Sequence, residues 1–423
     1  MLSPKLRLLS SSAYYLCDMP GNANVLANSI NYDELKIETE ELDALLLWIL
    51  KNDLSIESLS LWILKNNSFI ESKIYDNSYT YFITNTPLLF KAFYREGSSK
   101  ELLQLIDDLR KKVYADGTDE QLLIGDIIAA ITRKKIENAS IYILSGYTDI
   151  DLSNWKSALT KETFIREFWP AQHLLGKTGV LRGQSAIVQM PTSAGKTKST
   201  ELILRSAFLS NRTNLAIIIA PFRALCHEIT DSLKEAFKDE SIGVDILSDV
   251  LQSDFDFNDL LGLTTKPQVL IVTPEKLLYV LRHNPTMTEY LKLIIFDEGH
   301  QFDTGKRGIT YELLLTSLKK FIPLNAQKIL FSAVISNAKG LSEWLNGHST
   351  VVEGNTLIPT IKSIGFVSWR DTLGQIKYTN EGEDTFFVPY VIKESSLPFR
   401  KRRQKVIKFP EKGDGQDIAL FLG

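Results

Sequence analysis

Two short motifs in this chain carry residue types suited to binding and hydrolysing a nucleoside triphosphate. Residues 190–197 read MPTSAGKT and residues 297–300 read DEGH, and each motif follows an apolar run rich in β-branched residues. A loop of small residues between a strand and a helix presents backbone N–H groups to phosphates. Gly195 would let the main chain approach closely, Lys196 would reach the β- and γ-phosphates, and Thr197 would offer its hydroxyl to Mg²⁺.

The phosphate-loop pattern is incomplete, because Met190 stands where its first glycine is expected. An ordinary helix N-terminus is the alternative interpretation of this segment. The DEGH motif favours the interpretation of residues 190–197 as a phosphate loop. The strand predicted at 293–296 would place Asp297 and Glu298 at the edge of a sheet, where α/β folds bind ligands. Asp297 would hold Mg²⁺ through water, and Glu298 would polarise the attacking water. If the Asp-Glu pair stood without a phosphate loop, the alternative interpretation would be two solvated acids that follow a strand.

The sequence around both motifs alternates strands and helices, as a parallel α/β sheet requires. Continuous apolar runs are typical of strands that are covered on both faces. Such runs predict strands at 187–188, 216–219, 269–272, 293–296 and 329–331. Both motifs would then lie at the carboxyl ends of strands in one sheet.

Five motifs in a fixed order resemble those of the superfamily-two DExH-box helicases. They are PTSAGKT at 191–197, PFRAL at 221–225, TPEKL at 273–277, DEGH at 297–300 and SAV at 332–334. The chain is most similar to the branch of the exosome-associated RNA helicases, the spliceosomal unwinding helicase and the archaeal repair helicase. That branch also shows Arg-Gly after DEGH, here at 307–308, and a stretch similar to SAVISNAKGLSEWL at 332–345. The resemblance covers about residues 164–354.

The resemblance implies ATP and Mg²⁺ as cofactors and assigns residues to them. Gln172 matches the glutamine that reads the adenine edge, and Phe168 and Trp169 would stack on the base or, alternatively, pack in the core. The catalytic residues would be Lys196, Glu298 and His300. The nucleotide-binding residues would be Gln172, Thr192, Ser193, Ala194, Gly195, Lys196 and Thr197. The metal ligands would be Thr197 and Asp297.

The resemblance also implies nucleic acid, DNA or RNA, as a partner. The positions that would grip its backbone, irrespective of base sequence, are Pro221, Arg223, Thr273 and Pro274. Ser332 and Ala333 would couple hydrolysis to strand movement, although Val334 replaces the threonine that is usual in this motif. His300 would link the ATP site to them, and a surface histidine without a catalytic role is the alternative.

The chain divides into four predicted segments. Residues 1–160 show helical periodicity and predict an all-α accessory domain, which would orient the motor or contact a protein partner. By the resemblance, 161–360 would be a RecA-like ATP-binding domain. Residues 361–410 predict a small β-rich linker, and 411–423 resemble the beginning of a truncated second RecA-like domain. Because the sequence holds no arginine-finger motif of the QxxGRxxR type, we expect only one wall of a helicase ATP site.

Composition sets the class of protein. The 423 residues are 44% hydrophobic and 23% charged, which favours folded domains over wholesale disorder. With a net charge of −3, nucleic-acid binding would have to rest on local basic patches. Cys17 and Cys226 show no metal-ligand spacing, and the sequence contains neither a signal peptide nor an apolar run of membrane-spanning length. We expect a soluble, cytoplasmic protein without a membrane partner.

Two hypotheses follow, with a third less favoured. The chain is interpreted as the N-terminal part of an ATP-dependent nucleic-acid helicase or translocase, a hydrolase. The alternative is a nucleotide-binding interaction module that turns over little ATP without a second motor domain. A phosphate-loop enzyme of another kind, such as a kinase, is disfavoured by the ordered motifs at 221–225, 273–277 and 332–334.

Overall fold

The computed structural model divides the chain into two compact units, residues 1–360 and 361–423. The described residues are 3–34, 41–51, 79–191, 194–247, 266–283, 285–303, 305–333, 335–354, 357, 365–370, 373–378, 386–389, 395–396 and 408–409. The predicted start of a second domain at 411–423 lies outside them, as do Thr192, Ser193 and Val334. Within these ranges, no helix combines the length and the apolar character that crossing a membrane requires.

The N-terminal part of the first unit is helical, as its periodicity predicts. Its described helices are α1 (Pro4–Leu16), α2 (Pro20–Asn28), α3 (Glu41–Lys51), α4 (Thr80–Glu96), α5 (Lys100–Asp116), α6 (Asp119–Glu137), α7 (Ser140–Thr148) and α8 (Lys156–Leu159). Local signals set several of their ends. The Ser3 side chain caps α1, Thr118 and Gln121 form a capping box at the start of α6, and Gly97 ends α4 in a left-handed conformation. The apolar faces of α1 to α6, together with Ile141 of α7, share one buried core, whereas Leu144 of α7 and Ala158 of α8 belong to a core on one face of the sheet described next.

A parallel sheet forms the remainder of the first unit. Its strands are β1 (Ala186–Gln189), β2 (Leu215–Ile219), β3 (Gly243–Ile246), β4 (Gln268–Val272), β5 (Leu293–Phe296), β6 (Gln327–Ser332) and β7 (Val351–Glu353). Their spatial order is β3-β4-β2-β5-β6-β1-β7, with parallel pairing throughout. This RecA-like arrangement confirms the predicted fold class and all five predicted strands. The sequence did not predict β3 and β7, which are short edge strands with few buried residues.

Helices cover both faces of the sheet. They are α9 (Pro170–Lys177), α10 (Lys196–Leu209), α11 (Arg223–Ala236), α12 (Pro274–His283), α13 (Gly305–Phe321) and α14 (Ala338–Asn346). Successive residues of a strand point to opposite faces, so Ala186 and Val188 enter one core while Ile187 enters the other. Burial on both faces explains why the strands read as continuous apolar runs.

The second unit is built from short antiparallel strands. They are β8 (Gly365–Arg370), β9 (Leu373–Tyr378), β10 (Phe386–Pro389), β11 (Ser395–Ser396) and β12 (Lys408–Phe409). β9 is central in a three-stranded sheet with β8 and β10, and β11 pairs with β12. The β-rich character expected for this region agrees with the strands in its described residues.

Backbone hydrogen bonds join the helical region to the segment that leads into α9. The N–H of Ser140 donates to the carbonyl of Arg166 at 2.8 Å, and the N–H of Phe168 donates to the carbonyl of Asn138 at 2.8 Å. The two bonds form an isolated antiparallel bridge between the α6–α7 junction and residues 166–168. The helical region thereby fixes the position at which α9 begins.

A buried ion pair lies beside this bridge. Lys135 of α6 and Glu167 approach to 2.5 Å, with side chains only 2% and 7% exposed. Tyr15 of α1 donates its hydroxyl to Glu167, and the Lys135 ammonium lies 5.0 Å from the centre of the Tyr15 ring. Burial, reinforced by the charge of Glu167, raises the pKa of Tyr15 well above its ordinary value. Each charge needs the other, because a lone buried charge is costly.

Removal of one partner of this pair should destabilise the first unit strongly. We expect Lys135→Met to lower the free energy of unfolding by about 3–5 kcal/mol, the usual cost of a buried charge left without its partner. Urea denaturation followed by circular dichroism measures this change. Lys111→Met is the matched control, because Lys111 forms an exposed pair with Asp108 at 2.8 Å and should be nearly neutral. Near-neutral behaviour of Lys135→Met would contradict the assigned role.

Candidate functional site

The phosphate loop connects β1 to α10. Gly195 immediately precedes α10 with a φ of +81°, which favours glycine, and a Cβ there would lie 3.0 Å from the Gln172 amide nitrogen. Met190, which replaces the first glycine of the pattern, is fully buried, and its N–H donates to the Ser332 carbonyl at 2.9 Å. Its side chain is therefore accommodated by the core, and the glycine at the helix start is retained where the backbone needs it.

The structure brings Lys196, Glu298 and His300 together. The Lys196 ammonium lies 3.0 Å from Glu298 Oε1, across the gap between the start of α10 and the end of β5. His300 Nδ1 lies 3.3 Å from Glu298 Oε2 without hydrogen-bond geometry. The Lys196 ammonium and the His300 imidazole thus lie next to the two carboxylate oxygens of Glu298. A bound phosphate would compete with Glu298 for the ammonium.

Glu298 itself has an unusual backbone. Its φ is +49°, a region that non-glycine residues rarely occupy. Residues with strained backbones persist where the surrounding structure over-determines them, and they cluster at functional sites. The preceding N–H, that of Asp297, donates to the carbonyl of Ile219 at 2.8 Å and anchors the turn to β2. The backbone therefore holds the carboxylate of Glu298 in place at some energetic cost.

Asp297 lies in an environment that disfavours its charge. Burial, followed by the negative charge of Glu298, raises the pKa of the Asp297 carboxyl, while Lys196 acts in the opposite direction. The fully buried Tyr311 donates its hydroxyl to the Asp297 carbonyl at 3.2 Å. The sequence did not predict a role for Tyr311, and only its place in the helix after DEGH could have suggested one. A cation near Asp297 would relieve the unfavourable charge.

Thr197 and Asp297 suit Mg²⁺ by their chemistry. They offer a hydroxyl and a carboxylate, the hard oxygen donors that this ion prefers, and Mg²⁺ usually takes its other ligands from water and substrate phosphates. Thr197 is exposed at the start of α10 and Asp297 is half-buried at the end of β5. Among the described residues, no cluster of three or more His, Cys, Asp or Glu side chains could hold a metal by itself. Bound nucleotide would therefore have to complete the coordination.

Gln172 connects α9 to the phosphate loop. Its Oε1 accepts the N–H of Trp169 at 3.0 Å, while Nε2 lies 3.3 Å from Ser199 Oγ and 3.5 Å from the Gly195 carbonyl. The side chain is buried, with both amide atoms in internal contacts. Sequence reasoning missed Ser199, because its contact with Gln172 spans 27 positions. Of the two aromatic residues before α9, Phe168 is a core residue and Trp169 is half-buried.

The residues expected to contact nucleic acid lie after neighbouring strands. Pro221 follows β2 and Thr273 follows β4, and these strands pair in parallel, so both turns emerge at the same edge as the DEGH motif. Arg223 is exposed at the start of α11, and Thr273 is half-buried beside the buried Pro274. The two turns form adjacent parts of one surface.

Ser332 ends β6 between the phosphate loop and the DEGH strand. Its backbone carbonyl accepts the Met190 N–H, and its hydroxyl is buried without a hydrogen-bond partner in the described part of the chain. A buried hydroxyl without a partner is costly and rare. Ala333 is half-buried beside it. The strand order β5-β6-β1 thus places this motif between the two halves of the candidate ATP site.

Comparison with known proteins shows that the sequence is similar to helicases and to a Hachiman protein. Residues 170–341 match the DEAD/DEAH box helicase family. Over 416 residues the chain is 27% identical to the Hachiman protein HamB of Bacillus cereus, which covers 96% of this chain and 36% of HamB. It is 30% identical to the ATP-dependent DNA helicase Hel308 of Pyrococcus abyssi over 265 residues, or 62% of this chain and 35% of Hel308.

A solved structure also matches in part. The crystal structure of the helicase MrfA bound to DNA aligns with 48% of this chain and 29% of MrfA, at 24% identity and a TM-score of 0.38. The chain spans about a third of the length of HamB and of the Pyrococcus abyssi Hel308.

The raised pKa of Asp297 predicts a pH-dependent effect of its removal. Folding disfavours the ionised form of the Asp297 carboxyl, which is why its pKa is higher in the folded protein than in the unfolded chain. The free energy of unfolding therefore falls as pH rises from below the pKa in the unfolded chain to above the pKa in the folded protein. We expect Asp297→Asn to raise the melting temperature of the nucleotide-free protein, and to do so more at pH 8 than at pH 5. Thermal unfolding with EDTA present measures both. Asp245→Asn, an exposed change on β3, should show no such dependence, and a loss of stability in Asp297→Asn at pH 8 would contradict the prediction.

The two cysteines should differ in reactivity. Burial raises the pKa of the Cys226 thiol to about 11, whereas Cys17 is exposed. Because thiolate is the reactive form, iodoacetamide at pH 8 should modify Cys226 more than about a hundredfold more slowly than Cys17. Mass spectrometry of the alkylated peptides gives both rates, and unfolding in guanidinium should make them similar. Equal rates in the folded protein would show that α11 is not packed as described.

Proposed function

We propose that this chain is the N-terminal, ATP-binding part of an ATP-dependent nucleic-acid helicase or translocase. The observation that carries the proposal is the 3.0 Å approach of Lys196 in the phosphate loop to Glu298 in the DEGH motif. These residues lie far apart in sequence, and only the parallel sheet unites them. The sequence similarity of residues 170–341 to DEAD/DEAH box helicases supports the same function.

Hydrolysis would begin with an exchange of ionic partners. On ATP binding, the Lys196 ammonium would leave Glu298 for the β- and γ-phosphates, and backbone N–H groups at the start of α10 would bind the same phosphates. Glu298 would then be free to accept a hydrogen bond from water and orient it in line with the γ-phosphorus. Attack by that water breaks the bond to the bridging oxygen and yields ADP and phosphate.

Other residues would hold the reacting groups in place. Thr197 and Asp297 would hold Mg²⁺, which when bound supplies neutralising charge at the β- and γ-phosphates. His300, 3.3 Å from Glu298, would link the position of that carboxylate to the strand end at Ser332. The strained backbone of Glu298 supports a functional placement, because such strain is retained where it serves the site.

The nucleic acid would bind along the turns after β2 and β4. Exposed Arg223, the N-termini of α11 and α12 and the Thr273 hydroxyl suit contacts to phosphate, which carry no base specificity. The sequence relatives support this substrate class, because Hel308 is by name a DNA helicase. Movement along the strand would belong to the longer motor, in which a second domain supplies the other wall of the ATP site.

A lysine substitution tests this function. We expect Lys196→Ala to weaken ATP binding by about 10- to 100-fold, the effect of losing a charge-assisted hydrogen bond to phosphate. Lys198→Ala is the matched control, because Lys198 lies in the same helix turn but donates to Thr163 and Glu201 instead. Isothermal titration with ATP and Mg²⁺ measures affinity, and single-turnover hydrolysis with and without single-stranded oligonucleotide measures activity.

The outcomes separate the two functional hypotheses. Stimulation of hydrolysis by nucleic acid, lost in Lys196→Ala and kept in Lys198→Ala, would support the motor. ATP binding without turnover under either condition would favour a nucleotide-binding interaction module. Unchanged ATP affinity in Lys196→Ala would contradict both the motor and the nucleotide-binding module.

A further inference from the structure

The turn that carries Glu298 is held by hydrogen bonds to its backbone. The N–H of Asp297 donates to the Ile219 carbonyl of β2 at 2.8 Å. The N–H of Gln301 donates to the Glu298 carbonyl at 2.9 Å. Between these two bonds, the Asp297 carbonyl accepts the hydroxyl of Tyr311 from α13 at 3.2 Å, and no other donor to it is found in the described ranges. A single side chain therefore satisfies this carbonyl.

Tyr311 is fixed where this bond requires it. Its side chain is only 2% exposed, and its ring meets that of Phe296, the last residue of β5, edge-on with ring centres 6.3 Å apart. Burial, followed by the charges of Asp297 and Glu298, raises the pKa of Tyr311 well above its ordinary value, so the hydroxyl keeps its proton and can donate. Because the hydroxyl lies away from water, its removal would leave the carbonyl without a partner.

The bond acts on the peptide unit that determines the backbone conformation of Glu298. The carbonyl of Asp297 and the N–H of Glu298 belong to one planar unit, and φ of Glu298 measures the rotation about the bond that follows this unit. That φ is +49°, which a residue other than glycine retains only where its surroundings enforce it. A hydroxyl that holds the carbonyl opposes rotation of the unit toward an unstrained conformation.

The direction of the Glu298 side chain depends on this backbone. Its Oε1 lies 3.0 Å from the Lys196 ammonium, and its Oε2 lies 3.3 Å from His300 Nδ1. In the proposed reaction the same carboxylate orients the attacking water, and a misplacement of about 1 Å can lower a rate by roughly 100-fold. Tyr311 is buried and bonded to the backbone of the turn, so it would act through Glu298 and not on the substrate.

We infer that Tyr311 is a positioning residue for hydrolysis, whose hydroxyl holds the peptide between Asp297 and Glu298 in the orientation that directs the Glu298 carboxylate. The inference rests on the proposed hydrolysis of ATP. It assigns the placement of Glu298 to a residue of α13 that lies outside the five helicase-like motifs. The hydroxyl affects the rate of the chemical step and leaves ATP affinity unchanged, because Tyr311 does not belong to the phosphate loop.

Two variants isolate the hydroxyl. Tyr311→Phe removes it and keeps the aromatic ring that packs against Phe296. Tyr142→Phe is the matched control, because the Tyr142 hydroxyl also donates to a backbone carbonyl, that of Gly97 at 2.8 Å, but lies in the helical region. Melting temperatures verify that both variants are folded.

Zero-length cross-linking measures the placement of Glu298 without ATP. A carbodiimide joins a carboxylate to an adjacent amine as an amide and leaves as a urea, so it reports on the 3.0 Å pair of Glu298 and Lys196. We expect Tyr311→Phe to lower the yield of this cross-link by roughly 2- to 10-fold, the change in population that one hydrogen bond supports. The cross-link between Lys134 and Asp18, which pair at 2.8 Å, is the internal reference and should be unchanged. Mass spectrometry of the digested protein gives both yields.

Single-turnover hydrolysis measures the effect on the reaction. Tyr311→Phe should hydrolyse bound ATP about 10- to 100-fold more slowly than the unaltered protein, as expected for a displaced catalytic group. Isothermal titration with ATP and Mg²⁺ should give the same affinity for both. Tyr142→Phe should retain the rate and the affinity of the unaltered protein.

The outcomes distinguish this inference from the proposed function. An unchanged yield of the cross-link between Glu298 and Lys196 in Tyr311→Phe overturns the inference, whether or not ATP is hydrolysed. An equal fall in Tyr142→Phe, or in the reference cross-link, also overturns it, because the effect would then be general loosening. Equal hydrolysis rates in Tyr311→Phe and the unaltered protein contradict the role in the chemical step. If no form binds ATP, the proposed function fails, and a selective fall of the cross-link still supports the placement of Glu298 by Tyr311.

Discussion

Parallel pairing of β1, β6, β5, β2 and β4 is the constraint on which the candidate site depends. Because these strands run in one direction, the chain leaves every one of them at the same edge of the sheet. The phosphate loop, the DEGH turn, the Ser332 strand end and the turns that start with Pro221 and Thr273 all emerge there. Two-sided burial makes this arrangement rigid, since each strand interlocks with helices above and below. The pairing of buried strands therefore determines the positions of the candidate site residues at the edge of the sheet.

The charged residues at that edge of the sheet include groups whose burial or backbone conformation costs free energy. Asp297 and Glu298 are adjacent acids, one partly withdrawn from water and the other held by a strained backbone, with one ammonium shared between them. Burial of Asp297 and the left-handed backbone of Glu298 disfavour the folded protein, whereas the ion pair between Glu298 and Lys196 stabilises it. A cation close to Asp297 would offset the cost of its buried charge. Instability without ligand is a common cost of a site shaped for binding.

The sequence predicted what is local and missed what depends on distant contacts. Strands at 216–219 and 293–296 and the glycine before α10 follow from short patterns, and the structure contains them. β3 was missed because its four residues include a glycine and an exposed aspartate, and its pairing with β4 alone makes it a strand. The internal partners of Gln172 and the contact of Tyr311 with Asp297 were likewise beyond prediction. Each joins residues whose separation in the chain gives no periodic signal.

The short antiparallel bridge before α9 connects the helical region to the residues around the phosphate loop. Residues 138–140 are hydrogen-bonded to 165–168, and Gln172 ties the helix that follows to the phosphate-loop helix. These hydrogen bonds give a displacement of the α6–α7 junction a direct route to the loop. Thermodynamic linkage then makes the influence reciprocal. If the loop binds nucleotide as proposed, a molecule that binds the helices and shifts this junction would change nucleotide affinity by some factor, and nucleotide would change the affinity for that molecule by the same factor.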